Sequence, residues 1–190
     1  MNEERVIDKG ELLEQLDRHL DWIKSCDTKS SIVLAVIGIF ITIYTSEKSI
    51  EMLNKMVSES FQNINFSNLL FLLLFAISWG VFVYGGYSLI RVLVPRLSKD
   101  VVSYEGIETD SLYFFECVAK NKFSEYKDKV LNRSDNEDIN DILSQIYINA
   151  KISTKKYSYY SKGIKCTFLG MAGVLVLYIV GVILVKVGGF

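Results

Sequence analysis

Six residues in one stretch have the types and spacing to do chemistry. At 100° per residue, Asp27, Ser31, Ala35, Gly38, Thr42 and Thr45 fall within an arc of roughly 80°. Ile32, Val33, Val36, Ile37, Ile39, Phe40 and Ile43 cover most of the remaining surface of the same helix. One face is therefore small and hydroxyl-bearing and is headed by a carboxylate, while the other suits lipid or a core. A charge at the edge of a membrane segment is costly, so it tends to pair or to face water. Asp27 thus either heads an ion path, where a ring of its copies would attract cations, or pairs with a lysine of KKYSYYSKGIK (155–165). The small face likewise has two readings: it lines a water path, or it packs on another helix through small residues and hydroxyls. Three helices of one chain enclose no water path of useful width, so a pore requires several copies around this face.

Other chemistry finds little support. His19 is the only histidine, which removes histidine-rich metal sites and most imidazole acid–base schemes. No glycine-rich phosphate loop, nucleophile elbow, H-E-x-x-H or CxxC pair is present. Cys26, Cys117 and Cys166 are odd in number and lack metal spacing, so they read as reduced, packed thiols. The chain is expected to be no enzyme and to carry no metal or cofactor.

The elements that must position the six residues follow from composition. Half of the 190 residues are hydrophobic and 13% are aromatic, too apolar for an ordinary soluble domain of this size. A net charge of −1 offers no overall basic field for nucleic acid. A spanning helix needs about 20 mainly apolar residues. Residues 69–90 and 166–185 meet that need without a charge, and 31–45, though shorter, gains length from the polar turn before it. The expected fold is an all-α membrane protein with three transmembrane helices and a helical cytoplasmic extension, assembled as a symmetric oligomer.

Orientation follows from the basic residues beside the spans. Arg18, Lys24 and Lys29 precede the first, Arg91, Arg96 and Lys99 follow the second, and Lys151, Lys155, Lys156, Lys162 and Lys165 precede the third. All three clusters share one side when residues 1–30 form a cytoplasmic N-terminal amphipathic helix leading into the first span and 95–165 form a cytoplasmic helical region. The C-terminus is then extracytoplasmic. The 46–67 connection lies outside, with Ile50, Leu53, Met56 or Val57, and Phe61 at helical spacing; it either lies flat in the membrane interface or packs on its own bundle. Within the cytoplasmic part, Pro95 marks a break and the pattern from about 107 to 130 predicts one buried amphipathic helix. Ser134 and Glu137 fit a capping box. The helical period then continues without a stop signal into the third span.

Three segments carry a family likeness: W-I-x-x-x-D-x-K-S-S (Trp22, Ile23, Asp27, Lys29) entering the first span, DSLYFFECV at 110–118, and QIYINAKISTKKY at 145–157 before the last. In that order and spacing the chain resembles the Pycsar effector transmembrane family over about residues 12–187, akin to the broader SLATT-type effectors. The resemblance implies a bacterial anti-phage defence effector that compromises the inner membrane in abortive infection; taken with the small face of the first span, the expectation is an oligomeric, nucleotide-controlled ion channel, with a tetramer favoured. It implies a second messenger from a neighbouring cyclase or nucleotidyltransferase: a cyclic pyrimidine mononucleotide, cUMP or cCMP, or a nucleotide oligomer. No separate cyclic-nucleotide domain is visible, so sensing falls to the cytoplasmic helices. There Lys120, Lys122, Lys127, Lys129, Arg133, Lys151, Lys155 and Lys156 are the candidates to meet phosphate, although a solvated face or an anionic membrane surface would also account for them. The alternative is a non-conducting anchor or adaptor that binds a partner protein through the same helices.

Overall fold

The computed structural model describes residues 8–95 and 107–190. Arg96 and Lys99 of the orientation argument, and residues 1–7 of the N-terminal segment, lie outside them. The described elements are α-helices: α1 (Lys9–Tyr44), α2 (Glu47–Gln62), α3 (Phe66–Leu93), α4 (Phe115–Lys120), α5 (Phe123–Asn132) and α6 (Asp135–Val187). Three of them, α1, α3 and α6, are long and apolar enough to cross a membrane. Helix α1 runs unbroken for 36 residues, so the short apolar run after Asp27 belongs to a single continuous helix.

The ends of the helices follow from local chemistry. Asn65 caps α3, its Oδ1 accepting the Asn68 amide at 2.8 Å, and Asn68 in turn donates from Nδ2 to the Asn63 carbonyl. Helix α3 stops at Leu93, two residues before Pro95. Ser134 and Glu137 form the expected reciprocal box: Glu137 Oε2 accepts from Ser134 N at 2.9 Å, and Ser134 Oγ accepts from Glu137 N at 3.4 Å. These bonds, led by the Ser134 backbone amide, hold the Glu137 carboxyl below its ordinary value. From that cap α6 continues for 53 residues. It ends at Gly188, whose φ of +69° suits glycine, with the Gly189 amide closing on the Leu184 carbonyl at 2.9 Å in a Schellman arrangement.

The chain divides into two compact units. One holds the described residues 8–26, 94–95 and 107–157; the other holds Asp27–Leu93 and Ser158–Phe190. In the first unit, Leu12 and Leu16 of α1 bury against Ile142 and Ile146 of α6, with Leu13 and Ile139 at the margin. Each such side chain contributes about 1.5–3 kcal/mol when fully buried. The expected single helix over about 107–130 is absent. The structure has instead a segment of bends and turns over 107–114 and the two short helices α4 and α5, and α5 buries none of its residues. The reason lies in α6: Asp141 Oδ2 accepts the Leu112 amide at 2.8 Å, Ser144 Oγ accepts the Glu108 amide at 3.1 Å, and Asp138 Oδ1 accepts from the Tyr113 hydroxyl at 3.0 Å. The Glu108 and Leu112 amides, satisfied by these side chains, are withdrawn from a helical ladder. Asn121 then ends α4 by donating from Nδ2 to the Cys117 carbonyl.

Asp141 is fully buried and its Oδ2 also meets Arg133 Nη2 at 2.8 Å, whereas Arg133 approaches Asp138 only at 3.7 Å. Removing one partner of a buried pair strands the other's charge, at a cost of about 3–5 kcal/mol. Arg133→Met is therefore expected to lower the stability of the first unit by that amount, read as faster amide exchange over the first turns of α6. Lys129→Ala, which breaks an exposed pair with Asp110, should stay within about 1 kcal/mol.

The second unit packs α1, α3 and α6 around Val33, Ile37, Phe82 and Leu89, with Phe40, Trp79, Tyr160 and Met171 against them. Its glycines let backbones meet. A Cβ on Gly170 would stand 2.6 Å from Phe82 Cα, and one on Gly85 would stand 2.8 Å from Thr167 Cα. Gly173 is similarly occupied by Ser78, and Gly181 by Met56 and Phe71. Helix α2 packs one face on its own bundle. Met56 and Ser60 are buried, Met56 over Gly181, while Ile50, Val57 and Phe61 are exposed.

Candidate functional site

The residues singled out by the sequence fall into two sets, and each lies within a single unit. The first is the small face of α1. Ser31, Ala35, Gly38, Thr42 and Thr45 are all exposed and Asp27 is half-buried, whereas Ser30, Val33, Ile37 and Tyr44 of the same helix are buried. The chain's own packing therefore uses the arc through Val33, Ile37 and Tyr44 and leaves Ile32, Val36, Ile39 and Ile43 exposed as well, and a Cβ on Gly38 would meet nothing within 4 Å. The hydroxyls bond to their own helix: Ser31 Oγ donates to the Asp27 carbonyl, Thr42 Oγ1 to that of Gly38, and Thr45 Oγ1 to that of Ile41, at 2.9–3.0 Å. With their protons satisfied, these hydroxyls present oxygen lone pairs outward, on a face shallow enough for close approach by another helix or by water.

The second set is in the other unit. The eight candidate cations do not converge. Lys120, Lys122, Lys127 and Lys155 are exposed on α4, the turn after it, α5 and α6, and Lys151 sits over the Tyr147 ring at 5.1 Å. Lys129 and Arg133 share a polar pocket with Glu108, Asp110 and Glu137, where both are already engaged by carboxylates. Two cations against three carboxylates make that pocket a poor host for an anion.

Lys156 differs from the rest. It is 5% exposed and lines a cleft of about 320 Å³ walled by Leu16, Leu20 and Ile23 of α1, the rings of Tyr113, Phe114 and Phe115, and Gln145, Asn149 and Ile152 of α6. That volume lies at the lower end of small-molecule sites. Among the described residues the cleft is mostly apolar, with one cation and two carboxamides in its walls. All three segments that carry the family likeness reach it, through Ile23, through Tyr113 to Phe115, and through Gln145 to Lys156. Asp138 anchors its rim: burial raises the carboxyl, but hydrogen bonds from Lys9 and Tyr113, with the nearby charges of Lys9 and Arg133, more than offset this and hold it below the usual carboxylate range. Sequence reasoning selected Lys156 for its charge and passed over Gln145 and Asn149, whose neutral amides give no charge signal.

None of the three cysteines forms a disulfide among the described residues, and Cys26 and Cys117 are buried. No cluster of metal-ligating side chains occurs among the described residues.

Residues 11–185 match the family model described as the Pycsar effector protein domain. The chain is also similar to the Pycsar effector protein GmPycTM of Gulbenkiania mobilis, with 29% identity over 176 residues, covering 86% of this chain and 90% of that protein. No solved structure matches. The chain belongs to the Pycsar effector family, and with its three long apolar helices it is a membrane protein of anti-phage defence.

Proposed function

We propose that this Pycsar effector is an oligomeric ion channel of the bacterial inner membrane, controlled by a nucleotide, whose action impairs the membrane of an infected cell and so aborts the infection. The observation that carries the reading is the outward small face of α1. Helix α1 turns Val33 and Ile37 inward and exposes two further faces, a bulky one of Ile32, Val36, Ile39 and Ile43 that suits lipid and the small one of Ser31, Ala35, Gly38 and Thr42, where a helix surrounded only by lipid would gain from bulk. Four copies arranged about that face would place oxygen-bearing side chains along an axis and a ring of Asp27 at its cytoplasmic mouth. The N-terminus and the first unit are cytoplasmic in this reading and the C-terminus is extracytoplasmic, as the distribution of basic residues favours.

Control comes from cUMP, cCMP or a nucleotide oligomer made by a neighbouring cyclase or nucleotidyltransferase and sensed by the first unit. Helices α1 and α6 each contribute to both units as single elements, which gives ligand binding a covalent route to the spans. A ligand moves such an equilibrium only by its differential affinity for the two packings.

The test is ion flux through purified protein in liposomes, with and without a panel of cyclic and oligomeric nucleotides. The expected result is flux that one nucleotide changes at least tenfold, and whose cation preference Asp27→Lys removes or reverses while the protein stays inserted. Absence of flux under every condition, with inserted and folded protein, sinks the channel and leaves the membrane anchor that binds a partner protein. Leakage of large dyes as readily as small ions also overturns it, in favour of unstructured bilayer damage.

A further inference from the structure

We infer that α2 is a lipid-docking element: it lies in the membrane interface at the end where α1 and α3 are joined, with Leu53, Val57, Ile50 and Phe61 set among the acyl chains. The inference rests on the three apolar spans and not on the channel proposed above. Three observations carry it.

The first is the order of surfaces around the helix. At 100° per residue, the buried residues Met56 and Ser60 occupy one arc. Leu53, Val57, Ile50 and Phe61 fill the next, about 80° wide. There Ile50 is 44% exposed, Val57 38% and Phe61 61%. Asn54, Glu47, Ser58, Glu51, Lys55 and Lys48 follow, all of them exposed. A helix on the outside of a bundle at a membrane surface meets three environments in that order: protein, acyl chain and water. A helix standing in water has no use for the middle arc.

The second is depth. The apolar run of α6 extends over 166–185, so Gly181 lies four residues inside its end, about 6 Å along the axis. A Cβ on Gly181 would stand 2.6 Å from Met56 Sδ and 3.0 Å from Phe71 Cζ. Helix α2 is therefore seated beside residues that belong to the apolar runs of α3 and α6, not on a stalk above them. Asn63, just past its C-terminal end, donates from Nδ2 to the Phe190 carbonyl at 3.2 Å, which ties that end down as well. An interfacial helix buries its apolar face about 5–10 Å into the boundary between headgroups and acyl chains, the depth at which Met56 holds this one.

The third is continuity. Ile43 near the end of α1, and Ile64 and Phe66 where α3 begins, are 66%, 75% and 83% exposed. The apolar arc of α2 thus runs on into the outer surface of the spans, and the lipid that covers the spans covers the arc. Glu47, Glu51 and Glu59 against Lys48 and Lys55 leave α2 slightly acidic, so its affinity is for acyl chains and not for anionic headgroups.

Tryptophan quenching in the full chain, reconstituted in phosphatidylcholine vesicles, tests the assignment. Phe61→Trp places a reporter in the apolar arc and Glu51→Trp places one in the polar arc, while Trp22 and Trp79 give both the same background. The quenchers are phosphatidylcholine brominated on its acyl chains, and acrylamide on both sides of the membrane. The expected result is that brominated lipid removes at least half of the emission added at 61, and that acrylamide quenches it at least threefold less than the emission added at 51. Should Phe61→Trp fail to fold, Val57→Trp reports from the same arc. Emission from this arc as open to acrylamide as that at 51 overturns the inference, with α2 facing water. Emission shielded from both quenchers overturns it as well, with a second copy of the chain covering the arc.

Discussion

Gly170→Leu is expected to abolish both the compact membrane bundle and any activity that depends on it. The Cβ alone would stand 2.6 Å from Phe82 Cα and 2.8 Å from Phe82 Cβ, so the clash is with the backbone of α3 and not with the flexible end of a side chain. Relief requires α3 and α6 to separate by several ångströms. That separation would also release the Gly85–Thr167 and Gly173–Ser78 contacts along the same seam. Overpacking a well-packed site costs about 1–3 kcal/mol where neighbours can yield; here they are main chain, and the loss should exceed that range. The control is Gly80→Leu on α3, where a Cβ meets nothing within 4 Å. Both variants add the same side chain to an apolar helix, so both should insert into the membrane at wild-type levels. In detergent, Gly170→Leu should unfold tens of degrees below wild type and give no flux, while Gly80→Leu should melt within a few degrees of it. Equal melting temperatures would mean that α3 and α6 are not closely packed.

How much of this was legible beforehand depends on the range of the forces involved. The spans were legible because apolar length is a local property: 69–90 and 166–185 lie within α3 and α6, and 31–45 corresponds to the end of α1. The 53-residue helix was legible from what its sequence lacks, since no proline follows the Ser134 cap and the helical period is sustained. The 107–130 region was misread because its fate is decided 30 residues away. Phe114, Phe115 and Phe123 look like a widened buried stripe, yet Asp141 and Ser144 of α6 take the Leu112 and Glu108 amides out of helix while Asp138 holds the Tyr113 hydroxyl, and Phe115 and Phe123 end up exposed. The candidate cations were found by charge alone, which does not distinguish Lys129, paired with Asp110, from Lys156, buried among rings and amides. A cleft made by Leu16, Phe114 and Gln145 has no local signature at all, because nothing in one window tells which segments will converge.

Gly38→Leu on α1 should leave the chain's own fold intact and cut nucleotide-controlled flux by at least tenfold. Within one chain the position is open, and replacing a mid-helix glycine with leucine favours the helix by somewhat under about 1 kcal/mol. The substituted chain should therefore insert and melt at or slightly above the wild-type temperature. Any loss of flux must then arise where this face meets something other than its own chain. If copies approach one another through Ala35, Gly38 and Thr42, a leucine at the middle position either forces the helices apart or fills the water path between them. Thr42→Val separates those two outcomes. Its hydroxyl is exposed and donates to the Gly38 carbonyl of its own helix at 2.9 Å, so the substitution is nearly isosteric and removes the oxygen that would face water. A water-lined path predicts that Thr42→Val lowers conductance with the oligomer unchanged in size, whereas a dry packing seam predicts no change in conductance. If Gly38→Leu leaves both flux and oligomer size at wild-type values, this face looks into lipid. Conduction, if present, would then have to use a different helix.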